Sequence, residues 1–146
     1  MTRPLLLLAL AVPLLAACDK MPMNGALDGM WQLLTEEKTD TTLNVKDSRI
    51  YISFQLHTVQ FDAHGTTQQY YATFTRHGDT LAYSTICHPA SYVDETDDNE
   101  LATADDLADL STWGIYSLEP VYTVLQLTHE SLVLQSDSST LRLRKF

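Results

Sequence analysis

The chain has little of what most catalytic and cofactor-binding folds require. Five glycines in 146 residues leave little room for a cofactor fold, and no phosphate-cradling Gly loop, Gly-x-Ser-x-Gly elbow or His-Glu-x-x-His helix occurs. Two cysteines, Cys18 and Cys87, are too few for a disulfide framework, so packing must hold the domain together. Basic residues are also scarce, nine Lys+Arg against 19 Asp+Glu, which makes nucleic acid and anionic lipid headgroups poor partners. These absences point to a non-enzyme that carries no cofactor.

Metal binding is also disfavoured. The five histidines, His57, His64, His77, His88 and His129, include no His-x-x-x-His pair, and three of them fall in expected turns. The acidic run Asp94, Glu95, Asp97, Asp98, Glu100, Asp105, Asp106 and Asp109 departs from an EF-hand loop, with Asn99 at the sixth position and Asp105 at the twelfth. It reads as a solvated loop and helix face. Cys87 and His88 are adjacent, so on a strand they point to opposite faces, and Cys87 is expected to be a half-buried free thiol.

The N-terminus is the most distinctive segment present. Met1-Thr2-Arg3 is followed by an uncharged run, 4–17, rich in Leu and Ala, which is a positive n-region and an apolar h-region. A spanning helix needs roughly 20 apolar residues, so a cleaved leader fits better. Leu15-Ala16-Ala17-Cys18 resembles the lipobox of bacterial lipoproteins at every position. That resemblance implies a signal peptide over 1–17 and acyl chains, palmitate among them, attached at Cys18. Such chains contribute roughly 0.8 kcal/mol per buried methylene and anchor the protein to a membrane of the bacterial envelope, inner or outer. Removing Arg3 with the leader leaves eight Lys+Arg against 19 acids, a formal net of −11. Residues 18–28 read as the acylated Cys and a tether, leaving 29–146 as one domain.

Within that domain, strand character recurs at 30–36, 50–62, 67–76, 80–87, 121–128, 131–136 and 140–146. Ile50, Ile52, Phe54 and Leu56 alternate with Tyr51, Ser53, Gln55 and His57, the pattern of a half-buried strand. The alternation changes phase at Val59 and Phe61, so a bulge or short turn near His57-Thr58 is required. His64-Gly65, His77-Gly78-Asp79, His129-Glu130 and Asp137-Ser138-Ser139 punctuate the runs at hairpin spacing. Leu101, Ala104, Leu107, Ala108 and Leu110 keep helical spacing, and Gly114 marks a stop, which predicts a short helical insertion around 101–111. The expected fold is therefore all-β, an antiparallel up-and-down meander of seven or eight strands that hides its edges by closing into a barrel.

Gly29-Met30-Trp31 resembles the Gly-x-Trp signature of lipocalins. Gly29-Met30-Trp31-Gln32-Leu33, Ser53-Phe54-Gln55-Leu56, Gly78-Asp79-Thr80-Leu81, Trp113-Gly114-Ile115 and Leu143-Arg144-Lys145-Phe146 together are similar to small bacterial lipocalin-like envelope lipoproteins. The resemblance implies a lipocalin-like barrel in which Trp31 closes the bottom beneath a basic side chain of the last strand, Arg142 or Arg144. It carries no ligand with it. Tyr70, Tyr71, Tyr83, Tyr116 and Tyr122 are the expected ligand-lining residues, each an apolar ring with a polar tip. Two functions fit. One is a small-molecule binding module for an apolar or mixed ligand, with a cavity opening beside 88–114. The other is a protein-interaction or inhibitor module with a filled barrel, gripping an envelope protein in a salt-sensitive way.

Overall fold

A computed structural model describes residues 23–89 and 100–146. The expected leader 1–17, the acylation site Cys18, the first part of the tether and the acids at 94–98 lie outside the described residues. Nine strands are present among those described: β1 Gly29–Glu37, β2 Thr42–Asn44, β3 Ile50–Gln55, β4 Thr58–Ala63, β5 Gln69–His77, β6 Thr80–Cys87, β7 Val121–Leu127, β8 Ser131–Gln135 and β9 Thr140–Lys145. Each pairs antiparallel with its neighbour, and β9 returns to pair with β1, closing the sheet. Strand β2 pairs with β1 at residues 35–37 and β3 with β1 at 29–32, so the two occupy successive levels of one strand position. The result is a closed eight-strand antiparallel barrel with one short helix, a lipocalin-like fold. All nine strands and the buried core lie within 27–145, so a chain beginning at residue 19 carries the whole barrel.

The phase change at residue 57 is a turn. Gln55 pairs with Thr58 across a two-residue loop, with Leu56 at φ +55°. Such a loop sets even residues of β3 opposite odd residues of β4, which is why Ile52 and Phe54 meet Phe61 and Val59 on the inner face. The single run expected at 50–62 is therefore a hairpin.

Rings fill the centre. Phe54 meets Phe74 edge-on at 5.2 Å, Phe61 meets Tyr83 at 5.4 Å, and Tyr83 meets Tyr122 at 5.2 Å between centroids. Leu33, Leu81, Leu132, Leu134, Leu141 and Leu143, all buried, occupy the space between them. This is the filled alternative for an eight-strand barrel, whose interior is only wide enough for side chains or one small ligand.

Both ends are plugged by tryptophan. At one end Trp31 is fully buried, and its indole N–H donates to the Leu27 carbonyl at 2.8 Å. At the other, a 3-10 turn Ala104–Asp106, helix α1 Leu107–Leu110 and a second 3-10 turn Ser111–Trp113 cross the barrel mouth. Trp113 is buried against Phe61 and Tyr70 and donates to the Asp62 carbonyl at 3.0 Å. Gly114 ends this segment at φ +70°, and a Cβ there would lie 2.5 Å from Leu141 Cδ2, so only glycine fits.

Candidate functional site

The sheet is incomplete on one side, and the candidate site lies there. Strand β6 pairs with β7 only at Thr80, Leu81 and Ala82. Beyond that point β7 has diverged, and the 100–120 segment supplies the hydrogen bonds that β6 would otherwise lack. Tyr83 N–H donates to the Pro120 carbonyl at 3.0 Å, Ala102 N–H to Ile86 at 2.8 Å, and His88 N–H to Glu100 at 2.9 Å. On its other side β6 changes register against β5, since Tyr71 faces Cys87 while Thr73 faces Ser84. The extra residues form a bulge, and Thr85 there adopts φ +53°, a strained conformation for a β-branched side chain. Non-glycine residues held in this way concentrate at ligand and switch sites.

Between the bulge and the crossing segment lies an open groove of about 820 Å³. Its wall is Thr85, Ile86, Leu101, Ala102, Leu107 and the run Tyr116, Ser117, Leu118, Glu119. Five of these are aliphatic, which suits an apolar moiety, and Thr85, Tyr116, Ser117 and Glu119 add polar groups. Tyr116 is fixed from behind, because its hydroxyl donates to Glu36 Oε1 while Lys38 Nζ lies 5.0 Å above its ring. Glu36 is buried and points inward from the end of β1. Burial pushes the Tyr116 hydroxyl above its ordinary range, and the Glu36 carboxylate adds to the effect. Tyr116 is therefore a neutral hydrogen-bonding group at ordinary pH.

Of the five tyrosines expected to line a ligand site, Tyr116 alone lines this groove. Tyr83 and Tyr122 are core residues; the Tyr122 hydroxyl donates to the Gly114 carbonyl at 3.0 Å, and burial drives both well above the ordinary tyrosine range. Tyr70 is buried under the helical segment, within 3.3 Å of Asp106 and 3.4 Å of Asp109, and burial with these carboxylates pushes it up to about 12. Tyr71 alternates with the inward-facing Tyr70 and Ala72 and so lies half-buried on the outer face of β5. Beside residues 88–114 the described residues leave a solvent-open groove, while Tyr70, Tyr83 and Tyr122 pack into the buried core.

The basic partner of Trp31 also differs from expectation. Arg142 Nε donates to Glu37 at 2.6 Å and Arg144 Nε to Gln32 at 2.9 Å. Lys145 takes the place over the indole, its Nζ 4.1 Å from the ring and donating to the carbonyls of Ala26 and Asp28. Burial lowers its pKa while Asp28 raises it. Cys87 is free and more deeply buried than expected, with burial raising its thiol pKa. His88 turns to Asp106, 3.0 Å away. Among the described residues no three His, Cys, Asp or Glu converge to hold a metal ion, and no helix is long and apolar enough to cross a membrane.

Comparison with known proteins matches this geometry. A lipocalin-like protein from Bacteroides uniformis superposes with a TM-score of 0.61 at 21% identity, over 84% of this chain and 100% of its own. An uncharacterized protein from Bacteroides eggerthii gives 0.60 at 21% identity, over 82% and 99%. A protein from Burkholderia xenovorans gives 0.51 at 14% identity, over 82% and 83%. No curated protein matches the chain. The model of the lipocalin-like domain family matches residues 13–146, nearly the whole length, and the chain belongs to that family.

Proposed function

We propose that this protein is an envelope lipoprotein, anchored through acyl chains on Cys18, whose barrel is a non-catalytic binding module for a small molecule of mixed polarity. The lateral groove between β6 and residues 101–119 is its binding site. The observation that carries the reading is the combination of a barrel whose described interior is packed with rings and whose ends are plugged by Trp31 and Trp113 with a large groove at a bulged and strained strand segment. Its volume of about 820 Å³ lies within the range of small-molecule sites. Among the described residues its lining includes one carboxylate, Glu119, and no histidine, cysteine or lysine, which supports holding a ligand over transforming it. Anchoring rests on the lipobox-like Leu15-Ala16-Ala17-Cys18.

Residues 19–146 are expected to enhance the fluorescence of N-phenyl-1-naphthylamine, a neutral apolar probe, saturably and near one equivalent. Leu118→Glu, on the groove wall, should abolish that signal while leaving the far-ultraviolet spectrum unchanged. Full signal in this variant would place the site elsewhere. The filled interior also supports the second reading, an interaction or inhibitor module. A chain that binds no probe but forms a stoichiometric, salt-sensitive complex with an envelope protein would establish that reading instead. For the anchor, the intact mass of the membrane-extracted protein should carry a diacylglyceryl adduct at Cys18.

A further inference from the structure

Every residue of the groove wall lies in a stretch of unusual charge. Between Arg76 and Arg142 the chain has no lysine or arginine, and over the same residues it has twelve Asp and Glu. The groove is built wholly from that stretch, from Thr85 on β6 to Glu119 before β7. From this we infer that the groove selects amphiphiles with a cationic head, such as a protonated alkylamine, over anionic ones of equal chain length. The inference deepens the binding-module reading and rests on it.

Elements outside the stretch do not reverse the sign. Lys38 is the described Lys or Arg that a contact ties to a groove residue, through the ring of Tyr116. It is also 3.9 Å from Glu36 Oε2, so the pair adds no net charge. His88, at the upper end of β6, faces Asp106. Glu119 stands on the groove wall, exposed and without a partner among the described residues. Glu100, Asp105 and Asp109 flank the Leu101 and Leu107 wall with no Lys or Arg in sequence to offset them. Ile86, Leu101, Ala102, Leu107 and Leu118 supply apolar surface for a tail, while Glu119 and the Tyr116 hydroxyl region offer a place for the head. A head group a few ångströms from a solvent-exposed carboxylate feels an attraction that distinguishes ammonium from carboxylate by about tenfold at low salt, and less once salt shortens the screening length.

The test uses three ligands with one tail: decylamine, decanol and decanoate, each titrated calorimetrically into residues 19–146 at neutral pH and low salt. Decylammonium is expected to bind about tenfold more tightly than decanoate, with decanol between. Glu119→Gln, at an exposed position, should narrow that spread, and so should high salt on the unaltered chain. If all three bind with equal affinity, or decanoate binds best, charge selection is overturned while the groove reading stands. If none binds, both fall together.

Discussion

Lys145 does three things with one ammonium. It lies over the face of the buried Trp31 indole and donates to the carbonyls of Ala26 and Asp28, so it ties the chain entering β1 to the last strand. Arg142, three residues earlier, makes an ion pair with Glu37 while half its side chain remains in solvent. These environments predict unequal consequences. Lys145→Met keeps the apolar stem but strips two carbonyls of their donor and removes the cation from the ring, at a cost of about 1–3 kcal/mol. Arg142→Met should change stability by at most about 1 kcal/mol, as for other exposed pairs. Urea midpoints of the two variants decide the matter, and equal losses would reject the role given to Lys145. The assignment was legible in the strand's own alternation. Leu141 and Leu143 are buried, so Lys145 falls on the inner face and Arg142 and Arg144 on the outer. The family resemblance led to the arginines; period 2 leads to the lysine.

The helical segment over the barrel mouth begins with a reciprocal cap. The Thr103 side chain accepts from the Asp106 backbone, and Asp106 Oδ2 accepts from Thr103 N–H at 2.7 Å. That backbone hydrogen bond, with a smaller contribution from His88, holds the Asp106 carboxyl below its usual range. A carboxyl lowered by folding adds stability that is complete above its unfolded value near 3.8 and disappears as pH falls through the folded value. Asp106→Asn, which removes the carboxylate that accepts from Thr103 N–H, should lower stability by about 1 kcal/mol at neutral pH and weaken the dependence on pH below 4, measured by urea denaturation across the acid range. An unchanged acid limb would mean that the Asp106 carboxylate adds no stability of its own. At this scale the spacing of Leu107 and Leu110 and the stop at Gly114 located the helical insertion, but its expected start at Leu101 is instead a β-bridge to Cys87, and the helical segment begins at Ala104. Strand β2 escaped notice because all three of its residues are exposed, leaving no buried face to impose a period.

Across the whole molecule, closure could be argued from a meander whose edges need covering, but what occupies the barrel could not. Whether Tyr83 and Tyr122 face a ligand or each other depends on strand registers, and those depend on the β3–β4 turn and the β6 bulge, which composition does not reveal. The groove depends on where β6 and β7 part, a non-local feature with no local pattern in the sequence. A filled barrel has a consequence in alkali. Tyr70, Tyr83 and Tyr122 are held above their ordinary value of 10, Tyr70 to about 12, chiefly because burial disfavours phenolate. The folded state therefore keeps protons that the unfolded chain releases above pH 10, so stability falls as pH rises from 10 toward 12. These three tyrosines should ionise only as the barrel opens. Phenolate absorbance and far-ultraviolet circular dichroism, followed together through an alkaline titration, should then show one late absorbance step coincident with loss of the sheet. Smooth ionisation of every described tyrosine near pH 10 with the sheet intact would mean that water reaches those rings, and that the barrel holds a cavity after all.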